Sequence, residues 1–241
     1  MDALILGCIS FCTSTIAGIF GVGGGLLLIA ILPSFLPINA LIPIHGLNQV
    51  TSNLSRAYFG YKDIQYSVIP KFFVGSLLGA GLFMYLLKII SIQYIPLCVG
   101  IYILLSLWSQ TFNDKIKKYE NYYLIGFLQT GVSTIVGTTG PLTMTKLLKE
   151  FKDKDKVIAT SALLMSMTHI FKIIVFSYFG FVFYDYFDVI VIMILGSIFG
   201  SYVGKKLRNK IDGQKLIYIL KILLSTLALK SIVSTGRLFI S

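Results

Sequence analysis

The sequence predicts an all-α membrane protein of two inverted repeats, each a re-entrant or broken helix hairpin followed by three transmembrane helices. Three observations predict it. The 241 residues are 56% hydrophobic and only 13% charged, about half the charged share of a soluble domain, so the apolar surface exceeds what a core of this size can hide. Several apolar stretches reach or approach the roughly 20 residues that cross a bilayer. Glycine and polar motifs recur in the same order in the two halves of the chain.

The first apolar stretch, 3–37, is interrupted by Gly21–Gly25, and a later one, 122–148, by Gly137–Pro141. Both read as hairpins with glycine-rich tips. Stretches 43–61, 72–87, 92–109, 158–179, 187–204 and 216–235 read as spans. The N-terminus lacks the basic region of a signal peptide: the first charge is Asp2 and the next Arg56, so residues 3–20 read as a retained membrane segment. A first membrane repeat, 1–112, is joined by a polar cytoplasmic linker, 113–121, to a second, 122–241.

The repeat carries its own register. Gly21-Val-Gly-Gly-Gly25-Leu26 aligns with Gly137-Thr-Thr-Gly140-Pro141-Leu142, 116 residues on. The same offset places Asn53 on His169 and Arg56 on Lys172. Further along, Gly75/Gly79 matches Gly196/Gly200 at an offset of 121, which predicts a longer loop in the second half. Such small-xxx-small pairs suit close helix contact within the chain; a homodimer face is the alternative use.

The net charge of +11 lies in short loops between apolar runs, so it reads as topology and contact with anionic lipid at the cytoplasmic face, not as nucleic-acid binding. If every apolar stretch crossed, the basic clusters at 62–71 and 115–118 would oppose those at 149–156 and 205–215. If the two glycine-broken stretches return to the side they entered, all these clusters share one side. That arrangement gives a multi-pass plasma-membrane protein with both termini outside. Three spans per half is odd, so the halves are inverted, a transporter plan with the substrate near the midplane.

In a hairpin, the second arm starts inside the membrane with unpartnered backbone N–H groups and a positive dipole end. That is a preformed anion site, so Gly23, Gly24 and Gly25, and Thr138, Thr139 and Gly140, are candidate substrate contacts. Thr138 and Thr139 can cap, and Pro141 suits a first helical turn. In the first half His45, Gln49, Ser52 and Arg56 share a helix face, with Asn53 beside them. An arginine in the hydrocarbon costs about 2.5–3.5 kcal/mol on insertion scales, which a partner or a function must offset. The second half offers Ser161, His169 and Lys172 on an equivalent face. Both glutamates, Glu120 and Glu150, lie in loops, and no Asp lies mid-span. This excludes carboxylate proteases, HExxH metalloproteases and carboxylate cation relays, and no nucleophile–base pair stands out. Cys8, Cys12 and Cys98 form no disulfide framework or metal site. The chain reads as a non-enzyme without metal or cofactor.

These motifs resemble the sulfite exporter TauE/SafE family: GIFGVGGGLLL at 18–28, His45-Gly46 with Gln49, SNLSR at 52–56, GTTGP at 137–141 and ATSALL at 159–164, leading to Lys172. The resemblance covers nearly the whole chain. It implies a transporter that moves sulfite or organosulfonate-type anions, often outward. An anion channel, or a non-transporting membrane subunit of a larger complex, remains open as an alternative.

Overall fold

A computed structural model describes residues 2–89, 94–117, 121–137, 141–208 and 210, with isolated positions between 222 and 233. Its described elements are helices: α1 (Asp2–Phe20), α2 (Gly24–Ile31), α3 (Ile38–Phe59), α4 (Ile69–Leu87), α5 (Ile95–Trp108), α6 (Gln110–Lys117), α7 (Tyr122–Val136), α8 (Pro141–Glu150), α9 (Lys154–Tyr178) and α10 (Phe187–Leu207). Among the described residues, four segments are long and apolar enough to cross a membrane: those of α1, α4, α9 and α10. The chain is a multi-pass membrane protein. The expected span 43–61 falls on α3 up to Phe59; this helix has the length to cross but carries a buried polar face. The span expected at 216–235 lies largely outside the described residues. The linker is not plain coil, because α6 covers 110–117.

Both glycine-broken stretches fold back on themselves. Gly24 leaves no room for a side chain: a Cβ there would sit 2.1 Å from the carbonyl oxygen of Thr13 on α1. The return path lays Leu27 and Ile31 beside Ile5 and Cys8 in one apolar groove. The turn runs through Gly21 and Gly23 at φ of 79° and 94°, where side chains with a Cβ are strained. In the second half, Tyr122 at the start of α7 donates to Glu150 at the end of α8, 2.5 Å, so α8 also returns to where α7 began. Gly137, 116 residues after Gly21, has φ 86°.

The glycine ridges lie inside the chain. A Cβ at Gly75 or Gly79 of α4 would meet the carbonyls of Tyr123 (1.9 Å) and Phe127 (2.2 Å) on α7. A Cβ at Gly196 or Gly200 of α10 would meet those of Gly7 (2.3 Å) and Phe11 (2.2 Å) on α1. Gly7 and Phe11 precede Tyr123 and Phe127 by the repeat offset. In each pair residue numbers rise together, so α1 and α10 run parallel, as do α4 and α7. These faces are therefore already occupied within the protomer.

Between the two pairs, α3 and α9 cross antiparallel, with Gly46 against Lys172 and Gly60 against Ala159. The longer loop expected in the second half is not there. The connection is 179–186 against 60–68 in the first half, and the added residues lengthen the helices instead: α9 has 25 residues against 22 in α3, and α10 has 21 against 19 in α4. In a membrane an extra turn of helix keeps its backbone hydrogen-bonded, which a longer loop within the slab would not.

The packing predicts unequal glycine sensitivities. Gly200→Val should lower the thermal unfolding temperature in detergent, as overpacking typically costs about 1–3 kcal/mol. Gly81→Ala, with open space around it, should leave it unchanged or raise it. Equal effects would mean that α1 and α10 do not touch as described.

Candidate functional site

The break between α1 and α2 exposes two opposite helix ends to each other. The carbonyl end of α1 carries partial negative charge and the amide end of α2 partial positive charge. The carbonyl end is sealed by arginine. Arg56, on α3 and 6% exposed, donates through Nη1 to Ala17 O (2.9 Å) and Gly21 O (3.4 Å), and through Nε to Ser52 O in its own helix (3.4 Å). Its Nη2 donates to the Asn53 side-chain oxygen. Asn53 in turn donates to Gln49 O at 2.7 Å, which fixes the amide orientation. A second guanidinium reaches the same helix end: Arg208 Nε donates to Gly18 O, 3.0 Å.

The amide end of α2 has no such seal. Gly23 stands at its N-cap and no side chain caps it. Here a small cavity of about 30 Å³ is lined by Gly21–Gly25, Gln49, Asn53, Arg56 and Met165. Of the residues singled out in the sequence, Gly23, Gly24, Gly25, Gln49, Asn53 and Arg56 are thus brought to one place. Met165 was not among the candidates. It occupies the repeat position of Gln49, and that alignment was the available signal.

Of the other candidates, His45, His169 and Lys172 form a second cluster where α3 crosses α9. Lys172, fully buried, donates to Gly137 O at 2.5 Å and to His169 Nδ1 at 3.0 Å. The lysine therefore does at the second break what Arg56 does at the first: Gly137 stands 116 residues after Gly21, and His169 takes the place of Asn53. His45 Nε2 donates to Gly25 O, 3.0 Å, linking this cluster to the start of α2. The two imidazoles meet edge-to-face with centroids 5.7 Å apart. His45 Nδ1 and His169 Nε2 are buried with no hydrogen-bond partner among the described residues. Ser161 is buried in α9 but does not line the small cavity. Thr138, Thr139 and Gly140 lie outside the described residues. Among those described, no group of His, Cys, Asp and Glu could hold a metal ion.

A hairpin break sealed by a cation, repeated at matching positions over two halves, is a whole-chain pattern, and the family comparison covers the same extent. The model of the sulfite exporter TauE/SafE family matches residues 6–231. The chain belongs to this family. No curated protein and no solved structure matches it. As a TauE/SafE member it is a membrane transporter of small anions rather than an enzyme.

Arg56 and Lys172 differ in chemistry but share a task, which predicts an asymmetric substitution result. Arg56→Gln leaves buried carbonyls without their charged donor and should cost about 1–3 kcal/mol of stability. Arg56→Lys, which copies the second half, should cost clearly less. Denaturation of purified protein in detergent reads both, and equal losses would refute the sealing role.

Proposed function

We propose that this TauE/SafE protein is a secondary transporter of small oxyanions of the sulfite or organosulfonate class, exporting them across the plasma membrane. Its halves act as inverted repeats. The antiparallel crossing of α3 and α9, which are equivalent in the repeat, supports that relation. The positive-inside pattern supports an orientation with both termini outside and the lysine-rich end in the cytoplasm.

The observation that carries this reading is the electrostatic asymmetry of the broken helix. The α1 carbonyls, which would attract a cation, are occupied by Arg56 and Arg208. The α2 amides, which attract an anion, open onto a cavity that Arg56 also lines. A tetrahedral or pyramidal oxyanion offers several acceptors to such N–H groups, with Gln49 and Asn53 as side-chain partners. The cavity is small, which favours compact anions such as sulfite over bulky sulfonates. The flexible Met165 side chain is the wall best able to give way. At the second break, Lys172, His169 and His45 offer a charged and imidazole-lined counterpart, with Thr138–Gly140 as the matching tip in the sequence; Ser161 stands farther along α9, toward the lysine-rich end.

No carboxylate lies in the middle of a span to bind a coupling cation; Asp155 and Asp188 stand in the first turns of α9 and α10. The driving force is then the membrane potential, worth about 2.3 kcal/mol per charge per 100 mV for an anion leaving a negative interior.

Proteoliposome currents test this with sulfite, sulfoacetate, sulfate, carboxylates and chloride as a panel. Sulfite should carry current with saturation and trans-stimulation. Arg56→Gln and Lys172→Gln should each reduce it by roughly ten-fold or more, as loss of a charged hydrogen bond implies. Sulfite current that survives both substitutions would remove these residues from the pathway, and current without trans-stimulation would indicate a channel.

A further inference from the structure

The repeat also relates two cavities that lie at opposite ends of the molecule, and they are in opposite states. At the lysine-rich end, Arg56, Gly60, Asp63, Asp155, Lys205 and Arg208 surround a space of about 10 Å³. At the other end, Asn39, Leu87, Phe176 and Phe179 belong to the lining of a space of about 420 Å³. The repeat offsets pair Asp155 with Asn39, Arg208 with Leu87, Gly60 with Phe176 and Asp63 with Phe179. The same locus in the two halves is therefore shut at one end and open at the other.

The chemistry that shuts the first has no equivalent at the second. Arg208 pairs with Asp155 at the start of α9 and holds Gly18 O at the end of α1. Lys205 donates to Phe59 O at the end of α3, and Ser201 to Ser52 O, 3.1 Å. These contacts tie the ends of α1, α3, α9 and α10 together. Their counterparts on α4 are Leu87, Met84 and Ala80, none of which can donate a side-chain hydrogen bond. Backbone packing follows the same division. Gly204 lets α10 close on Gly18, whereas its counterpart Phe83 wedges its ring against Gly131 of α7.

We propose that the Arg208–Asp155 pair is a gate across the lysine-rich mouth of the anion pathway, latched here while the opposite mouth stands open. Arg56 lines both the shut space and the small cavity at the α2 amides, so the latch lies between that site and the lysine-rich surface. An oxyanion approaching from that surface competes with the Asp155 carboxylate for Arg208. Entry and unlatching are then the same exchange of one anion for another on a guanidinium. The proposal rests on the transport reading for its purpose, but the latch can be tested without transport.

The test is side-chain accessibility in a Cys8/Cys12/Cys98-free background. Single cysteines at Asn39 and Ala159 report the open and shut mouths, and a charged thiol reagent is applied to protein in liposomes. With the latch intact, Asn39→Cys should react fast and Ala159→Cys slowly. Adding Asp155→Asn should raise the Ala159→Cys rate by roughly three- to ten-fold through a population shift and slow Asn39→Cys. Arg208→Gln provides a second route to the same outcome should Asp155→Asn protein fail to fold. Equal rates at the two mouths with the latch intact, or an Ala159→Cys rate unmoved by both substitutions, would overturn the gate. Gating without sulfite flux would instead refute the substrate and leave the gate standing.

Discussion

The fold is organised around the cost of ending a helix inside an apolar slab. A helix terminus leaves several carbonyls or amides without intrahelical partners, and lipid supplies none. At the first break Arg56 and Arg208 bond Ala17, Gly18 and Gly21 oxygens; at the second Lys172 bonds the Gly137 oxygen. All three cations come from helices other than the broken one. The breaks therefore persist only while α3, α9 and α10 are packed in place, so sealing the break and assembling the bundle are one requirement.

That requirement explains the close backbone contacts. For Arg208 to reach Gly18, α10 must lie almost against α1, and Gly196, Gly200 and Gly204 permit it. For Lys172 to pass α3, a small residue must stand opposite, and a Cβ at Gly46 would lie 3.0 Å from the lysine Cδ. Ser10, whose hydroxyl lies 2.7 Å from both the Asn48 side chain and the Met193 carbonyl and has one proton to donate between them, ties α1, α3 and α10 midway. Polar residues here fix the separation of helices whose apolar surfaces would pack on lipid as readily as on one another.

Much of this was legible in the sequence. A single offset of 116 paired the two glycine tips and the two sealing cations, because equivalent breaks impose equivalent demands on both halves. The stripe from His45 to Arg56 showed that α3 has a buried polar face. What did not show was the partner of each cation. Helical periodicity says which residues share a face but not that the face meets carbonyls, so Arg56 read only as a charge in need of a partner or a function, and Lys172 as its equivalent. Arg208 and Asp155 were hidden more thoroughly. They sit among basic loop clusters, where charge is already accounted for by topology, and their repeat counterparts are uncharged. The added residues in α9 and α10 were placed in a loop because spacing between motifs does not say which element absorbs an insertion.

The same residues fix the sign of the buried charge before any substrate contact is considered. Carbonyls at a helix break are the usual cradle for sodium or a proton carrier in broken-helix transporters. Here guanidinium and ammonium groups already occupy them, and a metal cation approaching the break would meet both the occupied oxygens and the repulsion of Arg56. What stays unpaired is the amide end of α2 and the excess positive charge: of the three sealing cations Arg208 pairs with a carboxylate, Asp155, while Arg56 and Lys172 are held by carbonyls and neutral side chains among the described residues. Desolvated positive charge in a low-dielectric region is costly, and a bound anion relieves that cost twice, at the amides and at the guanidinium. On the proposed anion site, arginine and lysine placed to hold the helix ends also set its polarity, which would tie anion preference to the fold itself rather than to a separately added binding residue.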